Sequence, residues 1–162
     1  MPRPLLAPPL LIAAPAFAQD PPLPAFLAET TPAGFTHSST GEWEFMVGGG
    51  AALFACSGDG TPDISAAGGT SPARLFRNDS TAGGPLVFTP VADSGLDLVS
   101  VSGAYPLDID SDGLLDLALL RVGPDRLMRG LGDCRFEDAS TAWGFDALDL
   151  WSTAFAATWE QG

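Results

Sequence analysis

Two stretches of this chain spell out nearly the same pattern about fifty residues apart, and that repeat constrains the fold more than any other feature. Gly50 to Ile64 (GAALFACSGDGTPDI) can be laid on Gly103 to Leu117 (GAYPLDIDSDGLLDL) at a constant offset of 53 residues. Further on, Pro72-Ala73-Arg74-Leu75-Phe76-Arg77 matches Pro124-Asp125-Arg126-Leu127-Met128-Arg129 at an offset of 52. Phe88 and Gly95 then match Phe136 and Gly144 at offsets of 48 and 49. Gly34-Phe35 reads as the tail of a preceding unit, and Ala154 to Glu160 (AFAATWE) as the opening of a following one.

Within a unit the pattern is strand, acidic turn, strand, Gly/Pro turn, strand, loop, strand. Leu114 to Val122 (LLDLALLRV) is apolar and bounded by Gly113 and Gly123-Pro124, which suits a strand buried on both faces. Arg126 to Arg129 alternates after a Gly-Pro turn, as a third strand should. Units of roughly 40–50 residues with about four short strands each are the mark of propeller blades. The expected fold is therefore all-β: a partial β-propeller of about two complete four-stranded blades with partial flanking units. A propeller of about four blades needs roughly 200 residues at this spacing, so the chain is read as an incomplete propeller. Its end faces should then be prone to self-association or to pairing with missing blades.

The turn Asp108-Ile109-Asp110-Ser111-Asp112-Gly113-Leu114-Leu115-Asp116 carries carboxylates at positions 1, 3, 5 and 9, with a glycine at position 6 that lets the backbone reverse. Carboxylates packed this closely repel one another, and no arginine falls between Ser102 and Leu120. A hard, oxygen-seeking cation is the expected neutraliser, and Ca²⁺ fits best, held by Asp108, Asp110, Asp112, the Leu114 carbonyl and Asp116. An EF-hand is excluded, because position 12 is Leu119 and the flanks read as strands. The earlier copy offers Ser57, Asp59, Thr61 and Asp63, with Ala55 in place of the first ligand, and a weaker site is expected there.

This pattern resembles the FG-GAP/VCBS repeats of integrin-α-like β-propellers. The stretches GEWEFMVGGGAALF, GAYPLDIDSDGLLDLALLRVG and RGLGDCRFEDASTAWGF resemble bacterial secreted proteins related to the cartilage acidic protein (ASPIC/UnbV-type) family. The resemblance implies calcium in the acidic hairpins, a role in recognition or adhesion towards a protein or glycan ligand, and no catalytic residues. The alternative reading is a non-catalytic propeller segment of a larger secreted enzyme, such as one acting on polysaccharide.

Composition narrows the partners. The 162-residue chain carries 20 acids against seven bases, for a formal net charge of −13, which argues against nucleic acid. Apolar residues make up 46%, too many for general disorder, and no membrane span is expected. Met1 to Ala18 (MPRPLLAPPLLIAAPAFA) has the arginine, apolar stretch and small-x-small ending of a signal peptide, which places the protein outside the cytosol. Residues 19–33 form a Pro-rich lead-in, and 34–162 the repeat region.

Export bears on the only two cysteines, Cys56 and Cys134, which are expected to bridge adjacent units, with buried free thiols as the other possibility. His37, the sole histidine, has Ser38 and Ser39 beside it but no G-x-S-x-G elbow, so a structural or surface role is expected. Gly48-Gly49-Gly50 has no following Lys-Ser/Thr and is no phosphate loop. Trp43, Phe45, Trp143, Trp151 and Trp159 are expected to pack between blades, and Arg74, Arg77, Arg126 and Arg129 to pair with neighbouring acids.

Overall fold

The computed structural model describes residues 23, 25–46 and 50–158; the expected signal peptide, most of Gly48-Gly49-Gly50 and Trp159 lie outside them. Among the described residues eight strands follow one short helix: α1 (Trp43–Met46), β1 (Ala51–Phe54), β2 (Asp63–Ala66), β3 (Arg74–Asn78), β4 (Phe88–Pro90), β5 (Val101–Leu107), β6 (Asp116–Arg121), β7 (Arg126–Gly130) and β8 (Phe136–Asp138). They form two four-stranded antiparallel sheets, ordered β1-β2-β3-β4 and β5-β6-β7-β8. Each sheet is a meander in which every strand pairs with the next in sequence, and neither closes on itself.

The repeat and the sheets coincide. The first residues of β2 and β6, of β3 and β7, and of β4 and β8 are separated by the repeat offsets of 53, 52 and 48 residues. Registers agree as well: Ile64 lies opposite Phe76 in one sheet, and Leu117 opposite Met128 at the equivalent place in the other. The expected strand at 114–122 is narrower, β6 beginning only at Asp116, because Leu114 belongs to the turn and stands 40% exposed.

Alternation in the strands decides what each face meets. Ala52, Phe54 and Leu75 of the first sheet face Leu117, Leu119, Met128 and Phe136 of the second, with Leu96 from the connecting segment between them. Phe54 and Phe136 meet edge-to-face at 6.1 Å. Burying each such side chain contributes roughly 1.5–3 kcal/mol, whereas a surface ion pair contributes about 0–1. Apolar packing between the sheets, more than charge pairing, therefore holds the units together.

A second device joins unit to unit. Phe88 donates its backbone N–H to the Ala33 carbonyl at 2.7 Å, and Phe136 donates to the Ser94 carbonyl at 2.8 Å. Gly34 and Gly95, the next residues, have φ of 78° and 86°, and a Cβ on either would strike the carbonyl of Phe88 or Phe136. Phe35 then lays its ring 4.6 Å from Phe76, as Leu96 enters the core of the second sheet.

Candidate metal centre

The two turns expected to bind metal join β1 to β2 and β5 to β6, and their backbones match. Gly58 and Gly60 have φ of 77° and 80°; their equivalents Ser111 and Gly113 have 62° and 87°. The side chains hung on that shared backbone differ.

In the second turn, oxygens of Asp108, Asp110 and Asp116 converge, all lying within 4.8 Å of one another. Asp116 is fully buried at the start of β6. One of its oxygens accepts the N–H of Ile109 at 2.7 Å and the other that of Gly130 at 2.8 Å. Asp108 accepts the Gly113 N–H through Oδ2, while its Oδ1 is shut off from solvent without any hydrogen-bond partner. Asp110 Oδ1 accepts the N–H of Asp112. Asp112 does not join the converged group: its Oδ1 takes the Leu114 N–H at 2.8 Å, and its Oδ2 faces Arg129. Of the four expected carboxylate ligands, three are gathered and Asp112 is turned aside.

No arginine lies within the turn's own sequence, but the neighbouring strand brings one to it, and Arg129 pairs with nearby acids as expected. Arg129 of β7 places Nη2 2.9 Å from Asp110 Oδ2 and 3.5 Å from Asp112 Oδ2. Local spacing hid it, since β6–β7 pairing sets Leu117 opposite Met128 and so carries Arg129 across from Asp116. One arginine against four carboxylates leaves three negative charges uncompensated. A buried anionic oxygen with no donor is costly, so the orphaned Asp108 Oδ1 and the oxygens beside it suit a hard cation. Each carboxylate oxygen that already accepts one N–H keeps a second lone pair for it. The carboxylates present could hold a hard cation.

The first turn is not a copy of this centre. Asp63, expected as a weak ligand with Ser57, Asp59 and Thr61, is fully buried and committed elsewhere. Its Oδ2 accepts the N–H groups of Cys56 and Ser57 at 2.9 and 3.1 Å, and its Oδ1 that of Asn78 at 2.9 Å. Asp59 accepts both the N–H and the hydroxyl of Thr61 at 2.8 and 2.6 Å, bonds that lower its pKa from 3.8. Cys56 and Cys134 form a disulfide with Cα atoms 4.6 Å apart, so Cys56, Asp63 and Cys134 cluster with no thiolate to offer a metal.

Asp63 and Asp116 thus do one job in both units, which their reading as terminal ligands missed. Each fastens its turn to the end of the third strand of its sheet, through Asn78 in one case and Gly130 in the other. A signal for this was present: both open a strand and are followed by an apolar residue, Ile64 or Leu117, a place where a buried acid is kept when satisfied internally.

The remaining expectations divide. Arg77 pairs with Asp79 at 2.7 Å, a contact that raises the arginine and lowers the aspartate pKa, and Arg126 pairs with Asp138 at 3.1 Å. Arg74 makes no ion pair among the described residues. His37 donates Nε2–H to the Ala67 carbonyl at 2.9 Å, a structural bond. Trp43 and Trp151 do not pack between the sheets: they meet edge-on at 5.0 Å and stand 65% and 38% exposed. Only Phe45 of α1 is buried. No helix among the described residues is long and apolar enough to cross a membrane. No protein-family model matches the chain, and no curated protein matches its sequence.

Proposed function

We propose that this chain is a calcium-binding β-repeat module of the FG-GAP/VCBS kind, acting outside the cytosol as a binding or adhesion element. The observation that carries the reading is the convergence of Asp108, Asp110 and Asp116 around a buried Asp108 oxygen that has no donor. These three carboxylates would hold the ion, and the ion would supply the positive charge that Arg129 alone does not. Two successive sheets with matching registers, stacked through apolar faces, support reading the units as blades of a propeller. The Cys56–Cys134 disulfide accords with an oxidising compartment. The partner is a protein or glycan, or further units of the same kind.

Thermal unfolding with and without millimolar calcium tests this in wild type and in Asp110→Ala. Calcium at about a hundredfold over its Kd adds about 2.7 kcal/mol, so the wild-type Tm should rise by several degrees and that of the variant hardly at all. A wild-type Tm that is the same in calcium and in chelator overturns the reading.

A further inference from the structure

We propose that Asp63 guards the Cys56–Cys134 disulfide against thiol exchange, its carboxylate being held against both sulfurs where it opposes the anion that reduction must create. Asp63 Oδ2 lies 3.2 Å from Cys56 Sγ and 3.6 Å from Cys134 Sγ. Sulfurs joined in a disulfide carry no proton, so these are close contacts between an anionic oxygen and two sulfur atoms without a hydrogen bond between them. Asp63 is fully buried and Cys134 is 2% exposed, so little water intervenes to weaken the field. The carboxylate cannot swing away, because three backbone N–H groups hold its two oxygens in place.

Exchange proceeds when the sulfur of an external thiolate bonds to one Sγ while the Sγ–Sγ bond breaks, its electron pair leaving on the other Sγ. A second external thiol completes the reaction, both cysteines ending as thiols and the reductant as its own disulfide. Negative charge spreads over three sulfurs in the first transition state and then rests on the departing one. Both stages place that charge beside Asp63, and the incoming anion meets the same repulsion. The way in is a cleft of about 240 Å³ between the two acidic turns, lined by both cysteines, Gly58, Gly113, Asp133 and Arg135. Asp133 and Arg135 bring opposite charges to its wall, and Asp63 is the carboxylate in contact with both sulfurs.

The repeat holds a counterpart without sulfur. Asp116 fastens its own turn through the same backbone positions, but Ile109 stands where Cys56 does, and no sulfur adjoins it. The experiment measures reduction of the oxidised full chain by cationic cysteamine and by anionic 2-mercaptoethanesulfonate, in wild type and in Asp63→Asn. The cysteamine-to-sulfonate rate ratio should fall about tenfold in Asp63→Asn, as expected when one unit charge close to the sulfurs is removed, and both of its rates should rise. An unchanged ratio in Asp63→Asn overturns the proposal. Should that variant not fold, the wild type decides alone. In about 0.5 M NaCl, where the net charge is screened beyond roughly 4 Å, its ratio must still exceed that for neutral hydroxyethyl disulfide about tenfold by the same Coulomb argument. Equal ratios overturn the proposal.

Discussion

The turn between β1 and β2 and the turn between β5 and β6 share one backbone course and solve the same problem by different chemistry. Both are fastened by a buried aspartate, Asp63 or Asp116, to the end of a third strand. Beyond that fastening they diverge. In the first turn Thr61 satisfies Asp59, Ala55 and Ser57 replace two acids, and a disulfide ties position two to the other unit. In the second turn all four acids remain and Arg129 meets two of them. The two arginines explain part of the difference. Arg77 has Asp79 two residues on and pairs with it, whereas Leu131 stands at the equivalent place after Arg129, whose guanidinium turns to the acidic turn instead. A repeat can thus keep its scaffold while one copy becomes a covalent joint and the other keeps the acids proposed to hold an ion.

The largest expected effect tests the covalent half of this contrast. Replacing both Cys56 and Cys134 by serine opens a link between residues 78 apart and should lower stability by about 4 kcal/mol on the chain-entropy account. A urea midpoint that does not move would show that sheet packing alone fixes the units. Next come Asp63→Asn and Asp116→Asn, each placing an amide donor against buried N–H groups. In chelator each should cost about 2–3 kcal/mol, and a loss in one below half that in the other would break the equivalence of the two fastenings. The smallest effect sharpens the contrast between the arginines. Arg129→Gln should cost about 0.5–1 kcal/mol without calcium, yet enlarge the rise in Tm that calcium produces. Arg77→Gln should leave the calcium response as it is in wild type, and thermal unfolding in the two conditions compares them.

Strand order and strand starts were legible because their signals are local: alternating apolar residues, Gly/Asp turns, and the offsets at which they recur. The link between Cys56 and Cys134 was legible by count, there being two cysteines in a chain read as exported. What escaped is set by neighbours distant in sequence. Arg129 reaches the acidic turn only through the pairing of β6 with β7, so a search for nearby bases along the chain misses it. Asp63 and Asp116 read as the last members of a ligand series, and spacing alone does not show that each also holds backbone amides of its own sheet. The exposure of Trp43 followed from α1, a four-residue helix that leaves its first residue outward and buries Phe45 instead.

The carboxylate of Asp116 touches two pieces of backbone, Ile109 seven residues before it and Gly130 fourteen residues after it in the chain. Any pull on the loop is therefore transmitted to the tip of β7, where Arg129 sits one residue before the anchored amide. Loop and strand tip must yield as one mechanical piece, so that the charge environment of the loop and the seating of the arginine that faces it cannot change independently.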